Sequence, residues 1–236
     1  MKGTMVLTGK RALVTGGAVR IGKAITQALQ AAGAEVVVHY RNSRAEAEAL
    51  SPLSLQADLQ RVEECARLIG RAGPLDILIN NASVFTKDSL ADAKPERVRR
   101  EFQLNLFAPM ELTRAFAAQA GQGGAVVNLL DRRIACNDTS CVPYLIAKKG
   151  LEDLTKLAAL EYAPGIRINA VAPGPVLPPP GSAAESAREL AGHLPLDKLP
   201  TPGSIAEAVL FLLQAESTTG QTLFIDGGQH LLGNGL

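Results

Sequence analysis

The run Ala34-Glu35-Val36-Val37-Val38-His39-Tyr40 is almost continuously apolar. A strand reads this way when both of its faces are buried, as in a parallel sheet covered by helices. Six further short runs read as strands: Arg11–Thr15, Leu53–Leu59, Leu75–Asn81, Ala125–Leu130, Ile166–Val171 and Gln221–Ile225. Helical segments alternate with them. Lys23–Ala32 has Ile25 and Leu29 four apart on one face and stops at Gly33. Ala45–Leu50 is short. Val62–Ala72 is expected to turn Val62, Ala66 and Ile69 inward, and Gly73-Pro74 breaks it. Pro95–Gln119 has Phe102, Leu106 and Leu112 among its apolar positions, with a bend or interruption expected at Pro109. Tyr144–Tyr162 is stopped by Pro164-Gly165, and Ser182–Leu190 is a further short helix. Ser204 is the expected N-cap of a last helix ending near Leu213, with Glu207 completing a capping box. Alternation of this kind implies an α/β fold with a seven-stranded parallel sheet, doubly wound, with helices on both faces. There are no internal repeats and no long linker, so residues 1–236 are expected to form one domain.

The charge balance excludes some functions. Lys plus Arg is 24, Asp plus Glu is 23 and the net charge is +1, so there is no electrostatic case for nucleic-acid or membrane binding. Three cysteines, Cys65, Cys136 and Cys141, are an odd number in a long chain and point to reduced thiols in the cytoplasm. Cys136 and Cys141 lack a nearby His or further Cys for a metal site. Met1–Thr8 has no apolar core of signal-peptide length, and no run reaches the ~18 apolar residues of a spanning helix.

Open parallel sheets bind ligands beyond the carboxyl ends of their strands, so the residues after each strand carry the functional question. After the first comes Thr15-Gly16-Gly17-Ala18-Val19-Arg20-Ile21-Gly22. A glycine-rich turn opening a helix offers free N–H groups and the positive end of the helix dipole to a dinucleotide pyrophosphate. Gly16, Arg20, Ile21 and Gly22 are the candidates. Arg20 is out of place, because a cation at a helix start is unfavourable by up to about 1 kcal/mol unless an anion lies nearby.

The second strand ends in His39-Tyr40-Arg41-Asn42-Ser43, with no acid at its carboxyl end. An acid there would accept from a ribose 2′-hydroxyl. Arg41 can instead pair with a 2′-phosphate, and Asn42 and Ser43 can donate to it, so NADP is expected over NAD. Asp58-Leu59 follows the third strand; Asp58 can accept from an adenine amino group or serve as a helix cap or turn residue. Asn81-Ala82-Ser83 follows the fourth, with residues small enough for close backbone approach.

Tyr144 and Lys148 are four apart on a helix and share a face. An ammonium near the phenol is expected to lower the tyrosine pKa towards neutral, which suits proton transfer. Asp131, just past the fifth strand, can reach the same cleft or pair with Arg132 or Arg133.

Taken together these features resemble the short-chain dehydrogenase/reductase family. The shared order runs through the glycine turn, Asp58-Leu59, Asn80-Asn81-Ala82-Ser83, Asn105, Tyr144-x-x-x-Lys148, Pro173-Gly174-Pro175 and Asp226-Gly227-Gly228. It covers the chain from about Gly9 to Leu232. The resemblance implies a Rossmann-type fold with Tyr144 as proton donor. It implies that Lys148 holds the nicotinamide ribose and that Asn105 supports a water relay. Pro173 and Gly174 lie on the cofactor side, and a segment of about 173–203 covers the substrate. It also implies a homotetramer or homodimer, with helices around Glu96–Gln119 and Tyr144–Tyr162 in the interface.

Three departures point further. Arg20 replaces the usual middle glycine, Asp131 the usual serine, and Ser83, followed by Val84-Phe85, the usual glycine. These occur together in the pteridine reductase subgroup, which His39-Tyr40-Arg41 also resembles. There the arginine contacts cofactor phosphate and pterin, the aspartate assists the tyrosine, and the phenylalanine stacks on the pterin. Arg20, Ser83, Phe85, Asp131 and Tyr144 are then the substrate residues. The implied reaction is NADPH-dependent reduction of a dihydropterin, dihydromonapterin or dihydrofolate, with protonation of a ring nitrogen. Two rivals are an NADPH-dependent reductase of a ketone or 3-oxoacyl group, and a non-catalytic NADP-binding protein. Asp131 weighs against the first, since a carboxylate repels a developing alkoxide. Intact Tyr144 and Lys148 weigh against the second.

Overall fold

The computed structural model describes residues 7–120, 123–178 and 191–233. Its strands are β1 (Arg11–Val14), β2 (Glu35–Tyr40), β3 (Ser54–Gln56), β4 (Ile77–Asn80), β5 (Gly124–Leu129), β6 (Ile166–Pro173) and β7 (Thr222–Ile225). They form one sheet in the order β3-β2-β1-β4-β5-β6-β7, every pair parallel. The helices are α1 (Arg20–Ala31), α2 (Arg44–Leu50), α3 (Val62–Ala72), α4 (Pro95–Phe102), α5 (Ala108–Gln119), α6 (Val142–Glu161) and α7 (Pro202–Gln214). The fold is the doubly wound, Rossmann-type α/β architecture expected. The strand order reverses between β1 and β4, which opens a crevice beyond their carboxyl ends.

Period-two alternation sorts the strand residues between two layers. Val14, Val36, Val38 and Ile79 face Ile25 and Leu29 of α1 and Ile205, Val209 and Leu212 of α7. Leu13, Val37, Leu78 and Val126 face Cys65, Leu68 and Ile69 of α3 and Leu112 and Phe116 of α5. Each such aliphatic side chain stabilises the fold by about 1.5–3 kcal/mol through burial.

Several local expectations are corrected. In α3 the inward face is Cys65, Leu68, Ile69 and Ala72, whereas Val62 and Ala66 face solvent. The sheet lies across the stripe that starts one residue before Ala66, and Ile69 alone belongs to both stripes. The interruption expected at Pro109 is a π-helical turn, Gln103–Phe107, which precedes α5. Pro109 lies just beyond this turn, where the helix passes from the π to the α pattern. The N-cap of α7 is Thr201, with Ser204 as its capping-box partner. Pro202 is favoured inside the first turn, which moves the start of the helix ahead of Ser204. Pro173, expected to open the segment that covers the substrate, is the last residue of β6. The expected helix Ser182–Leu190 lies outside the described residues. At the far end of α7, Arg167 of β6 donates to the carbonyls of Leu212 (2.8 Å) and Leu213 (2.6 Å), satisfying a helix C-terminus.

Candidate active site

The glycine turn is held by its neighbours. Gly16 has φ of +60°, which suits a residue without Cβ. A Cβ on Gly22 would lie 2.1 Å from the Gly16 carbonyl oxygen, so the first helical turn can close on the loop only with glycine there. The Asn81 amide donates to the carbonyls of Thr15 (2.8 Å) and Gly16 (3.1 Å). These bonds tie the turn across the switch point to the end of β4. His39 is fully buried, and its Nδ1 accepts from the Gly16 N–H at 3.0 Å. Its Nε2 lies 3.2 Å from the Ala57 carbonyl, so the neutral Nε2–H tautomer satisfies both contacts. Burial pushes the His39 pKa down to about 4. His39 therefore braces the turn with its ring nitrogens, beyond the role of a cofactor-facing residue that its position suggested.

A groove of about 450 Å³ runs along this turn. Gly16, Arg20, Ile21, Gly22, His39, Tyr40, Arg41, Asn42, Ser43, Leu59, Asn81, Ala82 and Ser83 line it, as expected from the sequence. Val84, Arg100 and Leu104 also line it and were not foreseen. Asp58 opens instead onto an adjoining polar cleft with Arg41, Asn42 and Arg61. It pairs with Arg41 at 3.5 Å and accepts from the Gln60 N–H at 3.1 Å, which is the turn-residue reading. Pro173 and Gly174 do not line the groove; a Cβ on Gly174 would meet Asp226 at 2.8 Å. A dinucleotide fits this groove, with the start of α1 for a pyrophosphate and a half-exposed Arg41 for a 2′-phosphate.

Arg20 opens α1 with φ of +54°, a left-handed conformation that explains why glycine is usual at this position. A side chain held there costs about 1–2 kcal/mol. Its guanidinium reaches over the groove and donates to the Pro178 carbonyl at 2.8 Å.

A second cluster lies beside the groove. The Tyr144 hydroxyl donates to Asp131 Oδ2 at 2.9 Å. Asp131 caps a short 3₁₀ turn, Arg132–Ala135, and its Oδ1 accepts from the Arg133 N–H at 2.8 Å. Arg133 Nη1 lies 3.3 Å from Asp131 Oδ2, so both sequence readings of Asp131 hold at once. Phe85 meets Tyr144 edge to face with centroids 4.9 Å apart, and its ring is half exposed.

Lys148 is buried and donates to the Leu129 carbonyl at 2.7 Å, with its Nζ 5.9 Å from the Tyr144 ring centroid. The ammonium is therefore not spent on the phenol. Burial, the Asp131 charge and the hydrogen bond to Asp131 all raise the Tyr144 pKa well above its ordinary value. This overturns the expectation of a tyrosine lowered towards neutral: Tyr144 is held as an acid. Burial lowers the Lys148 pKa to about 8, opposed by Asp131 and Glu101.

Asn105 lies in the π turn, fully buried. Such turns recur at functional sites. Its amide donates to Glu101 (2.8 Å) and the Val84 carbonyl (2.9 Å), and its Oδ1 accepts from Ser83 (2.6 Å). Ser83 thus joins groove and cluster. Glu101 was missed, although its four-residue spacing to Asn105 on a helix was readable. Burial raises its pKa.

A family model described as enoyl-(acyl carrier protein) reductase matches residues 16–230. L-xylulose reductase of Bos taurus is 34% identical over 237 residues, covering 94% of this chain and 97% of that protein. D-erythrulose reductase of Gallus gallus is 32% identical over 244 residues, covering 97% and 98%. The crystal structure of FolM alternative dihydrofolate reductase 1 from Brucella canis, complexed with NADP, superposes with a TM-score of 0.89. It is 34% identical, covering 98% of this chain and 97% of that one. The FolM structure from Brucella suis, also with NADP, gives 0.89 at 34% identity, covering 94% and 96%.

Fold, groove and Tyr/Lys cluster together define an NADPH-dependent oxidoreductase. The chain belongs to the short-chain dehydrogenase/reductase family, in the neighbourhood of its pteridine reductase-like members. Among the described residues no helix is long and apolar enough to cross a membrane.

Proposed function

We propose that the substrate is a pteridine: a dihydropterin, dihydromonapterin or dihydrofolate. The observation that carries this reading is the Tyr144–Asp131 hydrogen bond of 2.9 Å beside the half-exposed Phe85 ring. Reduction of a C=N bond needs a hydride and a proton on nitrogen. When bound, NADPH supplies the hydride. Tyr144, kept protonated by burial and Asp131, delivers the proton. Phe85 offers a flat apolar face to a heteroaromatic ring. Arg20 serves the phosphates and the pterin, and Ser83 the substrate edge of the groove. Lys148 and Asn105 act behind the tyrosine, on the ribose and the water relay. Arg41, Asn42 and Ser43 take the 2′-phosphate. The similarity to two FolM structures supports the same reading.

The test is NADPH absorbance at 340 nm with dihydrobiopterin, dihydromonapterin and dihydrofolate. Oxidation no faster than the blank with all three defeats the proposal. The second reading, a carbonyl reductase, is favoured by the L-xylulose and D-erythrulose reductase relatives. Turnover of ketoses without pterins in the same assay would select it.

We also propose one domain across residues 1–236, a cytoplasmic location, and a homodimer or homotetramer. Exposed Met110 on α5 and Ile146, Leu157 and Leu160 on α6 support the assembly. A monomer by light scattering would refute it.

A further inference from the structure

We propose that Arg133 is a positioning residue for the reaction, holding the Asp131 carboxylate and the Phe85 ring in place around Tyr144. The inference rests on the reading that Tyr144 and Asp131 form the proton-transfer pair.

Arg133 grips both oxygens of Asp131. Its backbone N–H takes Oδ1 at 2.8 Å, and its Nη1 lies 3.3 Å from Oδ2. With both oxygens engaged, the carboxylate presents Oδ2 to the Tyr144 hydroxyl, and the guanidinium is the side-chain group that holds that oxygen. The guanidinium carbon also lies 5.4 Å from the centroid of Phe85, in cation–π range. Phe85 in turn meets Tyr144 edge to face. One planar group therefore backs the acid pair and the aromatic face together.

Arg133 is itself held from behind. Its Nε lies 3.1 Å from Asp138 Oδ2. Asp138 Oδ1 accepts from the Ser140 N–H at 2.9 Å and the Ser140 hydroxyl at 2.6 Å. A planar fork that bridges two carboxylates while lying against a ring is a geometry arginine provides and lysine does not. The guanidinium also opposes the upward push that burial and Asp131 exert on Tyr144.

The test is a double-mutant cycle on the NADPH-loaded enzyme, using Arg133→Met, Asp131→Asn and the double variant, with Arg133→Lys beside them. Thermal melts and NADPH affinity are measured throughout. The expected result is a fall in kcat of about tenfold or more for Arg133→Met, with NADPH affinity within about twofold of the parent. In the Asp131→Asn background the same change should cost less than about threefold, because residues acting as a unit are not additive. Arg133→Lys should remain at least about fivefold below the parent kcat, since an ammonium cannot reproduce the fork.

An Arg133→Met kcat within twofold of the parent would overturn the proposal. So would a loss that persists undiminished in the Asp131→Asn background, which would mean that Arg133 does not act through Asp131. If Arg133→Met does not fold, Arg133→Lys carries the cycle by the same criteria. A parent that reduces ketoses and no pterin defeats the substrate proposal, and the cycle is then read on the ketose with its criteria unchanged.

Discussion

The Tyr144 hydroxyl points at Asp131 Oδ2 over 2.9 Å, in a site where Tyr144 is 5% exposed. A buried phenol beside a carboxylate keeps its proton, and the Tyr144 pKa is raised accordingly. Asp131→Ala removes both the acceptor and the charge. Its kcat with a dihydropterin should fall by about 10²-fold or more, the usual scale for losing an acid–base partner. NADPH affinity should stay within about twofold. Steady-state kinetics and a fluorescence titration of NADPH measure the two.

Lys148 should impose a pH signature. Its folded pKa is about 8 against an ordinary 10.5. Between these values the unfolded chain holds a proton that the folded protein has released, so stability should rise with pH over that window. The full effect is on the order of 3 kcal/mol. Lys148→Met should lose this rise, as read from urea unfolding at pH 7 and 9.5. If the cationic form is required, kcat/KM should decline as pH climbs through about 8.

His39 gives a dependence of the same sign at lower pH. Its folded pKa is about 4 against an ordinary 6.5, so the unfolded chain takes up a proton first as pH falls. Stability should drop between pH 6.5 and 4 by an amount on the order of 3 kcal/mol. His39→Gln should flatten this limb in denaturant midpoints. Its NADPH affinity should also weaken, by about tenfold, because the Gly16 N–H loses the ring nitrogen that sets the turn.

Arg20 gives a test in which stability and activity separate. Arg20→Gly relieves left-handed strain of about 1–2 kcal/mol and adds about 0.5–1 kcal/mol of chain entropy to be lost. Its melting temperature should stay close to the parent's, because the bond to Pro178 is lost as well. Arg20→Ala loses the same bond and keeps the strain, so it should melt lower than Arg20→Gly. Ordinary helix propensity gives the reverse order. Both variants should show a raised KM for pterin.

The βα alternation, the glycine turn and the Tyr144–Lys148 spacing were legible because each is a local pattern. The turn residues that line the groove were found in the same way. The face of α3 was misread because two overlapping apolar stripes share Ile69, and the sheet's position chooses between them. The start of α7 was displaced because Thr201, three residues before the expected Ser204, caps the helix, and Pro202 favours that earlier start. Glu101 was not singled out, because its burial depends on how α4 meets the π turn.

The sequence by itself determined the doubly wound fold and the preference for NADP over NAD, and it singled out Tyr144, Asp131 and Lys148 as candidates for one cluster. These follow from periodicity, glycine placement and residue chemistry, which act over a few positions. Only the tertiary structure decided the state of those groups. It buries Tyr144 against Asp131 and spends Lys148 on the Leu129 carbonyl, making the tyrosine a stronger holder of its proton where the spacing alone suggested a weaker one. Desolvation and charge pairing depend on distances between segments far apart in the chain. A helix spacing of four residues carries no information about which of its two side chains a third residue will reach.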